Sequence, residues 1–138
     1  MKYMGIDYGD VRTGIAMSDV NGFLASGVCT LKIGYNVKLA EEIVRMAEEQ
    51  GVGGIVLGNP INMDGSEGFR SDSAKELKAL IEERTAIPVV LFDERCTTMA
   101  AHTILNITNT RGKKRKETID TLSAEIILQN YLDSKKHR

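Results

Sequence analysis

Four acidic residues stand where an α/β chain could build a reactive site. Asp7 follows the apolar opening Tyr3-Met-Gly-Ile6, Asp93 and Glu94 follow Val89-Val-Leu-Phe92, and Asp120 falls just inside a helix that Thr118 can cap. In open α/β sheets, function gathers beyond the carboxyl ends of the strands. Taken singly, each residue has a plain structural use: an aspartate ends a turn, and Asp120 complements a helix dipole. The set says more, because two of its three positions come directly off strands read as interior. Carboxylates so placed suit Mg²⁺ or Mn²⁺, which take oxygen ligands and need no histidine or cysteine. Two such ions about 3.5–4 Å apart activate a water and stabilise the leaving oxygen of a phosphodiester. Side chains alternate along a strand, so Asp93 and Glu94 cannot both serve the site, and Glu94 is favoured for reach. His102 reads as a helix-face residue and His137 as part of the tail.

A second cluster is basic. Arg111-Gly-Lys113-Lys114-Arg115-Lys116 puts five cations in six residues immediately ahead of the helix carrying Asp120. One reading is a solvated loop; the other is phosphate binding beside the scissile bond. Such contacts position a backbone and read no sequence. Arg12, just past the first strand, and Asn62, opening a glycine-containing loop that runs to Arg70, are further candidates for nucleic-acid contact. Aromatic residues make up 5% and tryptophan is absent, so base stacking is a poor source of affinity.

These residues need elements to hold them. Lys2 to Tyr8 reads as a strand, Thr13 to Ser18 as a second and Leu24 to Leu31 as a third, with turn chemistry at Gly9-Asp10 and Asp19-Val-Asn-Gly22. Short connections predict an antiparallel meander. Apolar residues Val37, Ala40, Ile43, Val44 and Ala47 then recur at helical spacing, and Gly51 ends that helix. Gly54 to Gly58 and Pro88 to Phe92 read as short buried strands. Between them lies a helix with Ala74, Leu77, Leu80 and Ile81, for which Ser73 and Glu76 have capping-box spacing. Helices after Thr97-Thr98 and after Thr118 close the chain. The order predicts an α/β fold with a mixed five-stranded sheet, three antiparallel strands and then parallel ones, flanked by helices.

Size and composition agree. At 138 residues the chain reads as one domain, 1–138, large enough for a core. The net charge of −1 predicts no polyanionic partner by itself, but it hides the basic cluster. Cys29 and Cys96 lie far apart with no metal-ligand spacing, so neither a disulfide framework nor structural zinc is supported. No signal peptide or apolar span is visible, and a cytoplasmic location is expected.

The residues also carry a resemblance. Gly5-Ile-Asp7-Tyr-Gly9 with Arg12-Thr-Gly14-Ile-Ala16 is similar to the opening of the YqgF/RuvX family. Pro60-Ile-Asn62-Met-Asp64-Gly65, Asp93-Glu-Arg95-Cys-Thr97-Thr98 and Ile119-Asp120-Thr-Leu-Ser-Ala124 resemble its later motifs, so the likeness spans essentially the whole chain. It departs at Asn59, where leucine is more usual, and at Cys96. The resemblance implies an RNase H-like fold and metal-dependent endonuclease activity. Processing of the 5′ end of pre-16S rRNA is the usual assignment, and resolution of Holliday junctions the older one. It also implies that Asp7 and Asp120 fall on acidic positions of the family, with Asp93-Glu94 supplying the third. Many RNase H-like nucleases carry a carboxylate at the end of strand four; this chain has Gly58-Asn59 there.

The expectation is therefore a Mg²⁺- or Mn²⁺-dependent nuclease with Asp7, Glu94 and Asp120 as metal ligands and a nucleic-acid partner. The alternative is a non-catalytic nucleic-acid-binding factor of ribosome maturation, kept open by the missing strand-four acid. A sugar-kinase reading of Gly-Ile-Asp-x-Gly is disfavoured by length, since those enzymes close two domains around a nucleotide. Monomer and homodimer are both open.

Overall fold

The computed structural model describes residues 1–9, 11–59, 69–93 and 112–136, with the side chains of 69–71, 93, 112–120 and 136 left aside. Its elements are β1 (Tyr3–Asp7), β2 (Thr13–Ser18), β3 (Ala25–Leu31), α1 (Asn36–Glu49), β4 (Gly54–Asn59), α2 (Phe69–Glu82), β5 (Val89–Asp93) and α3 (Gly112–Lys136). The helix expected after Thr97-Thr98 lies outside the described residues, as do His102 and His137.

The five strands form one sheet in the order β3-β2-β1-β4-β5. β1 pairs antiparallel with β2 and parallel with β4, β2 pairs antiparallel with β3, and β4 pairs parallel with β5. This is the mixed sheet that the short and long connections predict. The β2–β3 turn is held by Asp19, whose carboxylate accepts hydrogen bonds from the amides of Phe23 (2.7 Å) and Leu24 (3.2 Å). Those bonds hold the Asp19 carboxyl below its ordinary pKa. Gly22 completes the turn at φ +73°, a conformation that other residues rarely adopt. Val28 is the extra residue of an irregularity between the pairs Ile15↔Cys29 and Ala16↔Gly27.

Alternation divides the core in two. Met4, Ile6, Tyr8, Ile15, Met17, Ile55 and Leu57 face α1 and α2. Tyr3, Ala16, Ala25 and Val56 face α3, which answers with Ala124, Ile127, Leu128 and Leu132. Leu128 meets β1 at Gly5, where a Cβ would stand 2.6 Å from Leu128 Cβ and 3.0 Å from the Ala124 carbonyl oxygen. Glycine is needed here because the helix lies directly on the strand.

Three expectations need correction. β5 is an edge strand rather than an interior one, and Val90 is 38% exposed while Val89 is buried. An all-apolar run fits an edge covered by helices as well as it fits an interior strand. α2 begins at Phe69, so Ser73 lies inside it and does not cap it. α3 begins at Gly112, six residues before Thr118. Lys113 to Lys116 are good helix formers, and they extend the helix through the basic segment. That segment is helix from Gly112 onward, not loop, and Asp120 lies more than two turns inside it.

Candidate active site

Asp7 ends β1 and is the one residue of that strand that is not buried. Its Cα partner on β2 is Gly14. On the other side Ile6 pairs with Leu57, and the parallel register carries Asp7 to the level of Gly58. Gly58 pairs with Phe92 and Asn59 with Asp93. The carboxyl ends of β1, β4 and β5 therefore reach one edge of the sheet together, and Asp7 and Asp93 stand two strands apart along it. Asn59, the last residue of β4, is 7% exposed.

The helix α3 runs antiparallel to β1 across this face. At the far end the Tyr3 and Tyr131 rings pack edge-on at 5.8 Å, and the Lys135 ammonium lies 4.6 Å from the centre of the Tyr3 ring while bonding its hydroxyl. One strand step inward, Gly5 meets Leu128 and Ala124. Two residues of strand advance about 6.8 Å and four of helix about 6 Å, so the two elements keep pace. The next step brings β1 to Asp7 and α3 to position 120. Alternation puts Asp7 on the same face as Gly5, the face that α3 covers. Position 120 in turn shares the sheet-facing stripe of Ala124, Ile127 and Leu128.

Arg12 immediately precedes β2, which pairs back along β1 beside Asp7. A Cβ at Gly9 would come 2.3 Å from the Arg12 carbonyl oxygen, so glycine permits the reversal that returns the chain beside Asp7. On the opposite face the Tyr8 hydroxyl donates to Asn36 Oδ1 (2.7 Å) at the start of α1. Glu94, Asn62 and Arg111 lie outside the described residues. Asp93, Lys113, Lys114, Arg115, Lys116 and Asp120 are placed by their backbone in β5 and α3.

Among the described residues no group of three or more His, Cys, Asp or Glu gathers for a metal. What they do show fits an oxygen-ligated divalent cation. The Asp7 carboxylate stands part-buried at a strand end, and a buried hydroxyl, Ser123 Oγ, has no hydrogen-bond partner on the same side of the sheet. No motif in the sequence marks Ser123. The signal lies in its spacing, four residues before Ile127 within the apolar arc of α3.

The other acidic cluster is of a different kind. A groove of about 750 Å³ between α1 and β3 is bordered by Glu42, Glu49 and Asp19. Both glutamates are bound to Arg45 of the same helix, and that bonding holds the Glu42 carboxyl below its ordinary pKa. Cys29 lines the same groove as a free thiol, its pKa pushed up by burial and by the Glu42 charge.

Comparison with known proteins agrees with this fold. The family model RuvX, described as Holliday junction resolvase, matches residues 1–134. A protein of Thermoanaerobacter pseudethanolicus named "Putative pre-16S rRNA nuclease" is 41% identical over 139 residues, covering 100% of both chains. One of the same name from Listeria monocytogenes is 42% identical, covering 97% of this chain and 99% of that one. Among solved structures, Thermus thermophilus RuvC in complex with a Holliday junction substrate superposes with a TM-score of 0.63 at 12% identity, covering 99% of this chain and 96% of that one. The fowlpox virus Holliday junction resolvase gives 0.58 at 13% identity, covering 97% and 99%. These structural likenesses show the RNase H-like fold, and the sequence matches show more: the chain belongs to the RuvX/YqgF family.

Proposed function

We propose that the chain is a metal-dependent endonuclease that hydrolyses phosphodiester bonds of structured RNA, acting at the 5′ end of pre-16S rRNA. The observation that carries this reading is the convergence of Asp7 and position 120. β1 and α3 stay in step from Tyr3 and Tyr131 to Gly5 and the Ala124–Leu128 turn, and two residues on along β1 and one turn on from Ala124 stand Asp7 and position 120. The pre-16S substrate is supported by the names of relatives about 40% identical over their full length. A cytoplasmic location goes with that substrate; no described helix is long and apolar enough to cross a membrane.

Asp7, Glu94 and Asp120 would hold the Mg²⁺ or Mn²⁺, with Asp93 the alternative at the end of β5. When bound, the ion supplies an activated water and stabilises the leaving oxygen. The chain's own residues orient the substrate. Arg12 would meet the phosphodiester beside Asp7. Positions 113 and 116 share the helical stripe of position 120, with 114 and 115 beside it, and in this reading Lys113, Lys114, Arg115 and Lys116 would bind the phosphates leading to the site. Arg111 and Asn62 would add to these contacts. With so few aromatics, recognition rests on backbone and shape.

The test is cleavage of a 5′-extended 16S precursor and of a four-way DNA junction, each with Mn²⁺, Mg²⁺ or EDTA. Metal-dependent cutting of the precursor at its 5′ end is expected. Cutting of the junction alone moves the substrate to branched DNA. Tight binding without cutting, unchanged by EDTA, replaces the enzyme with a binding factor.

A further inference from the structure

Ser123 is 1% exposed, and its Oγ makes no hydrogen bond. A buried helical serine ordinarily bonds back to the carbonyl one turn earlier; this one does not. Thr13 Oγ1 is the other such atom among the described residues. Thr13 has the strand parity of Ile15 and Met17, which face α1, so it belongs to the other side of the sheet.

The neighbours of Ser123 fix its place. It follows position 120 by three residues and precedes Ile127 by four, so both adjoin it on the surface of α3. Thr121 lies against β3, where a Cβ on Gly27 would be 3.1 Å from Thr121 Cβ, and Ala124 and Leu128 lie over Gly5 of β1. Ser123 is about half a helical circumference from Thr121, which puts it on the flank toward β4. Ile127, one turn along, packs in the same cluster as Val56 of β4. The next residue of β4 on that face is Gly58, which offers no side chain. Ser123 is thus a buried hydroxyl beside position 120, on the side of α3 toward β4, a strand that ends in Gly58-Asn59 and itself carries no carboxylate.

We propose that Ser123 is a positioning residue for the metal site of the nuclease reading, on which this inference rests. Its Oγ accepts a hydrogen bond from a water carried by the divalent ion and so stands in for a strand-four acid. Mg²⁺ keeps several of its waters, and outer-shell hydrogen bonds of this kind change metal affinity by about 10–100-fold.

The experiment is a Mn²⁺ titration of the full chain, read by calorimetric Kd and by the metal-induced rise in Tm, for wild type, S123A, S123T and D7N. S123A is expected to weaken Mn²⁺ binding about tenfold while its metal-free Tm stays level or rises. S123T, which keeps the oxygen, is expected to hold the wild-type Kd. Wild-type affinity in S123A, alongside loss of binding in D7N, overturns the proposal and leaves the metal reading standing. A lowered metal-free Tm in S123A, with S123T binding no better than S123A, assigns Ser123 to packing and also overturns it. A wild type that binds no Mn²⁺ overturns both.

Discussion

Gly5 of β1 and Leu128 of α3 are in such close contact that one added methyl on Gly5 would stand 2.6 Å from Leu128 Cβ. This contact sets the height of the helix above the strand. Beyond it β1 runs on to Asp7, and α3, one turn past Ala124, to position 120, so a glycine sets how closely these two parts of the backbone approach.

Gly5→Ala is therefore expected to cost about 1–3 kcal/mol by overpacking and to impair cleavage beyond what the lost stability explains. Urea denaturation measures the first effect. Single-turnover cleavage well below the unfolding midpoint measures the second. Unchanged values for both would mean that the helix yields freely and does not set the site.

The orphaned hydroxyl of Thr13 makes a prediction of opposite sign. Thr13 is fully buried and its Oγ1 unpaired, so Thr13→Val should raise stability by about 1 kcal/mol. Urea unfolding with an unchanged m-value checks it. A loss of stability would reveal a partner for that hydroxyl.

Cys29 carries a pH dependence. Burial first, and then the Glu42 charge, raise its pKa above the ordinary 9.0. The nucleophile is the thiolate, so alkylation of Cys29 should be slow at pH 8 and should accelerate only above about pH 9. In a Cys96→Ser background the rate is read by mass spectrometry, and Glu42→Gln should shift the profile to lower pH. Fast labelling at pH 7 would contradict the assignment.

The basic turns of α3 are open to test by salt. If Lys113 and Lys116 neutralise phosphates, replacing both with glutamine should flatten the log–log salt dependence of duplex DNA binding by about 0.9 for each phosphate left without its lysine. Fluorescence anisotropy from low to moderate salt gives the slope. An unchanged slope would return these residues to solvent.

Much of this architecture is legible in the sequence, for identifiable reasons. Asp19 to Gly22 is turn chemistry, and the observed turn uses the Asp19 carboxylate and the positive φ of Gly22. Gly51 ends α1 as expected, at φ +68°. The start of α3 is misread because Thr118 is a good cap, yet the lysines and arginine ahead of it are equally good helix formers. β5 is misread as interior because Val89 to Phe92 carries no polar residue to mark the edge; Phe92 is sheltered by Tyr131, whose ring packs edge-on at 5.9 Å. Asp7 is legible because an acid ends an apolar strand. Ser123 is not, since a serine in a helix looks like surface until its stripe is counted.

The central claim is that Asp7 and Asp120 serve one catalytic centre. It is tested most directly by the Mn²⁺-dependent cleavage rates of Asp7→Asn, Asp120→Asn and the double variant on the same precursor RNA. Residues acting as a unit are non-additive, so each single change should cost on the order of 10²-fold or more and the double no more than the worse single. Near-wild-type cleavage in either single variant, or losses that multiply in the double, would contradict it.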